Sequence, residues 1–356
     1  MKAKRVIISL MVLCCAMAVK AQNDVAIATL QHGDNVSVFK GPSALANALA
    51  AADEEGGDVI TLSQGTFTAA TITKPVSIYG AGFETDNSKG TLLTTISGNL
   101  TVGRDDNTTV ANVHLEGFYL NGQLNVGGAY GTGPLDHLRV VKVKATSMYA
   151  QSTSLYTSFD QCVIWGSFDC DRAGGASGTY DFYFSNCFMR RGTFRFYKME
   201  SSSIVLDHCL INAYHNTNST TGAAFDGSHT NILTLTNSVY IKANGSASRY
   251  DWPTGSNIQN CISDLNVTGF ENCYQVAISD IFKNGENGTV YSDGTYSPER
   301  TFELTQPDTW RGNDGTEIGI RGGNGWSKVP STPVVKSLSV TPSGTNLNVT
   351  YDAVVR

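Results

Sequence analysis

Asp160-Gln161-Cys162-Val163-Ile164 is followed by Ser185-Asn186-Cys187-Phe188-Met189 and then by Asp207-His208-Cys209-Leu210-Ile211. Thr236-Asn237-Ser238-Val239-Tyr240 continues the series with Ser in place of Cys, and Gln259-Asn260-Cys261-Ile262 and Glu271-Asn272-Cys273-Tyr274 close it. From Cys162 to Cys261 the steps are 25, 22, 29 and 23 residues. A polar–Asn–Cys–apolar phrase at that period is the signature of a stacked solenoid with one coil per repeat. Each repeat carries short β-type runs, such as Tyr183-Phe184, Ile204-Val205-Leu206 and Leu233-Thr234-Leu235, separated by Gly, Asn and Ser turns. Stacking at about 4.8 Å pairs every strand with its equivalent one coil on. The turn Asn is expected to bond to the turn above, as a ladder, and the Cys beside it to form an inward column.

Composition agrees with coils rather than helices. The chain has 356 residues, long enough for about two average domains. Only 16% are charged, while 36 are Gly and 41% are hydrophobic. A disordered chain needs more charge, and a long coiled coil needs abundant Glu, Lys and Leu. Lys2, Lys4 and Arg5 head an apolar run from Val6 to Val19, and Val19-Lys20-Ala21 offers a cleavage site. Residues 1–21 therefore read as a signal peptide, which places the mature chain outside the cytoplasm: periplasm, cell surface or medium. The run is too short for a bilayer span, and no later stretch suits a transmembrane helix.

Removing that leader takes Lys2, Lys4, Arg5 and Lys20 with it and moves the net charge from −6 to −10. So acidic an exported chain is a poor partner for nucleic acid. Six cysteines remain, and in an exported protein six would ordinarily mean three disulfides. The recurrent context of five of them favours a column of small buried thiols instead. Cys170 stands outside the column and is the one expected to pair or be exposed.

The first coils read directly. Ser43 is placed to cap a short helix with Leu45, Leu49 and Ala52 on one face, closing the open end of the solenoid. Gly57-Asp58-Val59-Ile60-Thr61-Leu62 and Ile72-Thr73-Lys74-Pro75-Val76-Ser77-Ile78-Tyr79-Gly80-Ala81-Gly82 follow. Gly80 and Gly82 suggest a tight turn between coils, since no third Gly and no following helix support a phosphate loop.

The stretch from Gly57 to Gly82, with the Asn-Cys repeats, resembles the opening coils of the pectin-lyase-like right-handed parallel β-helix superfamily over roughly residues 38–325. The resemblance implies long parallel sheets and a surface groove for acidic polysaccharide, but its members include esterases, lyases, galacturonases and adhesins, so the fold leaves the reaction open. Cys162-Val163-Ile164-Trp165-Gly166-Ser167-Phe168-Asp169 is similar to the pectin methylesterase coil whose Asp is the nucleophile. Arg249-Tyr250-Asp251-Trp252 resembles the phrase whose Arg positions that carboxylate. Gln151-Ser152-Thr153-Ser154-Leu155-Tyr156 resembles a Gln-Asp-Thr-Leu-Tyr phrase, with Ser152 where that family has its acid. Ester hydrolysis by this route needs one carboxylate to attack and another to protonate the leaving alcohol, and Asp169 supplies one. Asp171 and Asp181 lie nearby in sequence as substitutes.

Val205-Leu206-Asp207-His208-Cys209-Leu210 resembles a pectate-lyase phrase, yet His208 takes the same repeat position as Asn186 and Asn260, so the ladder accounts for it. Lyase chemistry also needs a basic side chain and calcium ligands, of which Asp169 and Asp171 supply at most two. No cofactor is otherwise called for. Arg190, Arg191, Arg195 and Lys198 are interleaved with Phe194, Phe196 and Tyr197. On a strand, Arg195 and Tyr197 share a face, either as a solvated outer surface or as a cationic, aromatic strip for a uronic or sulfated sugar.

The expected architecture is all-β: an N-terminal signal peptide (1–21), a lead-in (22–37), a right-handed parallel β-helix with a helical cap (38–329) and a C-terminal strand pair (330–356) forming a hairpin. Two functions of different classes stay open. One is a secreted, monomeric protein that binds or processes an acidic polysaccharide. Its candidate catalytic residues are Asp169, Arg249 and Gln151, and its substrate-binding residues are Arg190, Arg195, Tyr197 and Trp165. The other is a noncatalytic surface or adhesion rod.

Overall fold

The computed structural model describes residues 26–86, 91–129, 132–166, 168–169, 178–190, 194–195, 202–213, 225–226, 233–242, 256–283, 300–331, 334–343 and 346–354. The chain is all-β, dominated by one long run of parallel strands, a solenoid-like arrangement compatible with a parallel β-helix. The leader, residues 1–21, lies outside the described residues. Among those described, no helix is long and apolar enough to cross a membrane.

Two antiparallel strands, Ile27–His32 and Asn35–Lys40, open the sheet, and Ile27–His32 also pairs antiparallel with Asp58–Leu62. From there every coil stacks in parallel. Ser158 pairs with Tyr183, Tyr183 with Val205, Val205 with Thr234 and Thr234 with Asn257. These offsets are the 25, 22, 29 and 23 residues of the cysteine spacing.

The spacing holds because the corner is built alike in each coil. Lys142, Gln161, Asn186, His208, Asn237, Asn260 and Asn272 all have φ between 49° and 53°. That left-handed conformation is costly for most L-residues and least so for Asn, which explains why Asn recurs at four of these seven corners. The following residues, Val143, Cys162, Cys187, Cys209, Ser238 and Cys261, are buried in one column. The cysteines of this column that are described, with Cys273, are free thiols. Cys170 lies outside the described residues.

The ladder at this corner differs from the expected one. It is made by backbone: Gln161 N–H donates to Ser185 O (3.0 Å), Asn186 to Asp207 (3.1 Å), His208 to Thr236 (3.2 Å) and Asn237 to Gln259 (3.2 Å). The side chains reach outward to a later segment. Gln161 Oε1 accepts from Ser327 N–H at 3.1 Å, and Asn186 Nδ2 donates to Ile320 O and Gly322 O at 2.8 and 2.7 Å. The His208 ring nitrogens face Gly319 O at 3.3 Å and Asp314 Oδ2 at 3.2 Å. Asn237 does both, donating to Asp207 Oδ1 in the preceding coil (2.8 Å) and to Asn313 Oδ1 (2.9 Å). At the far end Glu116 Oε1 accepts from the N–H and the hydroxyl of Ser331, each at 2.6 Å. Residues 313–331 thus form a strap running down the corner against the direction of coil addition. Gly117, at φ 73°, lies where a Cβ would meet Pro330 of this strap at 2.8 Å.

The strap is one edge of a larger cover. Phe282, Phe302, Leu304, Trp310, Ile318 and Ile320 are buried with Val163, Phe188, Leu210, Val239, Ile241 and Ile262, so the outer face of the later coils is a second core. The first core fills the coil interior, where Phe159 and Phe184 stack at 4.6 Å and Phe168 meets Phe184 edge-on at 5.4 Å.

The helix Ala44–Ala51 buries Ala44, Leu45, Ala48 and Leu49, with Ser43 at its N-cap position but without a side-chain cap bond. Its C-terminal carbonyls are met by Lys74, whose ammonium donates to Ala50 O and Ala52 O. Gly80 and Gly82 belong to the strand Val76–Gly82 rather than to a turn. A Cβ on Gly80 would come within 2.3 Å of Gly117 O in the next coil, so close coil approach is the reason for glycine there. Val334–Ser343 and Asn346–Val354 pair antiparallel as a separate two-stranded sheet.

Candidate functional site

One outward-facing row of the parallel strands is polar. The strand Val110–Val126 ends in the alternating sequence Asn121-Gly122-Gln123-Leu124-Asn125-Val126, with Leu124 and Val126 buried inside. Alternation therefore turns Gln123 and Asn125 to the other face. Pairing carries that position from coil to coil: Thr101 to Asn125, Asn125 to Tyr149, Tyr149 to Asp169, Asp169 to Arg195 and Arg195 to Asp226. The neighbouring position is apolar throughout, with Leu100, Leu124, Met148 and Phe168 all buried. That inward packing holds the polar row in place.

Around Asn125 the amides converge. Its Nδ2 donates to Thr101 Oγ1 at 3.0 Å, and its Oδ1 accepts from Gln123 Nε2 and from Gln151 Nε2, the latter at 3.4 Å. Asp169 is only 6% exposed on the strand Phe168–Asp169. A hydroxyl, three amides, a phenol and a carboxylate thus share one face, and the next strand continues the register with Arg195. Such a row can donate to and accept from several hydroxyls at once.

Trp165 belongs to a second group. Lys144 Nζ lies 5.2 Å from the Tyr119 ring centroid and 5.7 Å from that of Trp165. Lys328 and Lys144 approach the Glu84 carboxylate at 3.3 and 4.0 Å. Burial pushes the Lys144 ammonium below its usual range, with the Lys328 charge acting in the same direction and Glu84 opposing both. Arg190 sits at the equivalent place one coil on. Val163 pairs with Phe188 and Ile164 with Met189, so Trp165 and Arg190 each follow two residues beyond the first pair.

Of the residues singled out in the sequence, Asp169, Arg195 and Gln151 therefore fall on or beside one row, while Trp165 and Arg190 share a different one. Arg249, Tyr197, Arg191, Lys198 and Asp171 lie outside the described residues. Ser152 is buried, and its hydroxyl has no hydrogen-bond partner among the described residues. Sequence reasoning missed Gln123, Asn125, Tyr149, Lys144 and Tyr119. The alternation of polar residues at 121, 123 and 125 was the available signal, because a strand facing a sealed core has no need of three amides in a row. Among the described residues no group of three or more His, Cys, Asp or Glu is placed to hold a metal ion.

Comparison of the chain with protein-family models, with curated proteins and with solved structures gives no match in any of the three.

Proposed function

We propose that this chain is an exported, right-handed parallel β-helix of pectin-lyase-like type that binds an acidic polysaccharide along the Asn125–Tyr149–Asp169–Arg195 row. The helix Ala44–Ala51 closes its first coil in this reading. The observation that carries it is the strand register pairing Arg195 with Asp169, on the same row as Tyr149 and the Gln123–Asn125–Gln151 amides two strands before Asp169. Arg195, with Arg190 and Trp165 on the neighbouring row, meets the uronate carboxylates, and the amides and Tyr149 meet ring hydroxyls.

Binding is favoured over ester hydrolysis by Ser152. Where the resemblance expects the second carboxylate, this chain has a buried hydroxyl, which cannot protonate a leaving alcohol at neutral pH. The test is a glycan array of uronate and sulfated polymers, read together with methanol release and formation of unsaturated uronate. Retention on uronate polymers that falls in Arg195→Ala and Gln151→Ala, without turnover, is the expected result. Methanol release abolished by Asp169→Asn would make the protein an esterase. Neither binding nor turnover on any acidic glycan would leave the structural rod as its function.

A further inference from the structure

The first edge of the solenoid carries an unusual strand. Asn35–Lys40 pairs on one side with Ile27–His32, and no strand among the described residues pairs with its other side. Val36 and Val38 are 61% and 56% exposed, and Asp34, Ser37 and Lys40 are exposed with them, whereas Phe39 packs partly against the core. An exposed apolar edge is a template for another strand, and proteins that remain monomeric usually blunt it.

The residues along this edge are self-complementary. Val36 and Val38 lie one residue either side of Ser37, and Asp34 and Lys40 lie three either side. Val36, Val38 and Lys40 share a face by strand alternation, and Asp34 precedes the strand in the exposed Gly33-Asp34 turn. An antiparallel copy centred on Ser37 sets Val36 against Val38 of the second chain and Asp34 against Lys40, twice over by symmetry. No other centre on this strand brings both the valines and the opposite charges together. We propose that the mature chain forms a two-fold dimer by pairing Asn35–Lys40 with the same strand of a second copy, in place of the monomer expected from the sequence. The interface is isologous, and one short strand from each copy makes it a weak one. It stands apart from the polysaccharide row and does not depend on it.

Sedimentation equilibrium of the mature chain at high micromolar concentration tests this. Dimer is expected, weakened about tenfold by Lys40→Glu or by Asp34→Lys, since each sets like charges opposite one another. Asp34→Lys combined with Lys40→Glu restores opposite charges and is expected to recover the dimer. Val38→Lys should leave monomer, with circular dichroism confirming that each variant folds. A wild-type chain that stays monomeric throughout overturns the proposal. So do single variants that dimerise unchanged, or a double variant no better than the singles.

Discussion

The Asn186 side chain donates from Nδ2 to the carbonyl oxygen of Ile320 at 2.8 Å, joining residues 134 apart in sequence. The same nitrogen reaches Gly322 O at 2.7 Å, and the residue holds φ at 49°. One Asn therefore turns the corner of its coil and fastens the strap across it.

These two roles separate by mutation. Asn186→Gly keeps the left-handed corner but loses both bonds, and it is expected to cost about 1–2 kcal/mol. Asn186→Ala also adds the conformational cost, for about 2–3 kcal/mol in all. Urea denaturation measures both. Equal losses in the two variants would show that the corner conformation contributes nothing.

Glu116 makes the opposite end of the strap sensitive to acid. Burial pushes its carboxyl up, but hydrogen bonds from His114 and from the Ser331 hydroxyl and N–H outweigh this and hold it at about 2. A depressed carboxyl stabilises the fold fully above its unfolded value of 4.5 and loses that contribution as pH falls toward 2. Glu116→Gln is expected to lose about 2 kcal/mol at neutral pH and to flatten the decline below pH 4.5. Melting temperatures at pH 7, 5 and 3 provide the check.

His32 gives the reverse dependence at the first coil. A hydrogen bond to Asp58 and the Asp58 charge raise its imidazole above 6.5, with Nδ1 2.6 Å from Oδ1. Stability from this contact is complete below pH 6.5 and is lost as pH rises through the raised folded value. An imidazole titration by NMR with a midpoint at or below 6.5 would contradict the contact.

Thiol reactivity should follow the column. Burial raises Cys187 and Cys261 well above the ordinary thiol range, whereas a hydrogen bond from Cys261 brings the half-buried Cys273 down to about 7. Brief alkylation of the folded protein is expected to label Cys273 and to spare Cys162, Cys187, Cys209 and Cys261. Peptide mass spectrometry with and without denaturant reads this directly.

Ser238 forecasts which substitutions the column accepts. Its hydroxyl donates to Thr236 O at 2.6 Å and accepts from Cys209 N–H at 2.9 Å, so the position can satisfy a polar side chain. Cys187→Ser is expected to cost about 1 kcal/mol or less. Cys187→Leu overfills a fully buried site and should cost about 1–3 kcal/mol. Thermal unfolding of the two variants separates these outcomes.

The coil period was legible because the corner repeats one chemical demand. A left-handed residue followed by a buried one leaves a recurrent polar–Cys phrase, Asn-Cys in its commonest form, and the strand register reproduces those spacings. The strap was not legible. Glu116 and Ser331 lie 215 residues apart, and neither Ile320 nor Gly322 signals that its carbonyl will accept from Asn186. The candidate row was legible in part. Asp169 and Arg195 were found through motif and charge, but their facing across two strands depends on the register of coils of unequal length. Asn125 and Tyr149 carry no motif at all and emerge only once those coils are stacked.

The strap also acts on coil number. Its contacts with Glu116, Gln161, Asn186, His208 and Asn237 fall in a fixed order along residues 313–331. A longer loop within a coil leaves that order intact, and the step of 29 residues between Cys209 and Ser238 is accommodated beside one of 22. A duplicated or deleted coil would shift every later contact by one place. The strap therefore serves as a length standard: loop size is free to vary, and the copy number of the coils beneath it is fixed.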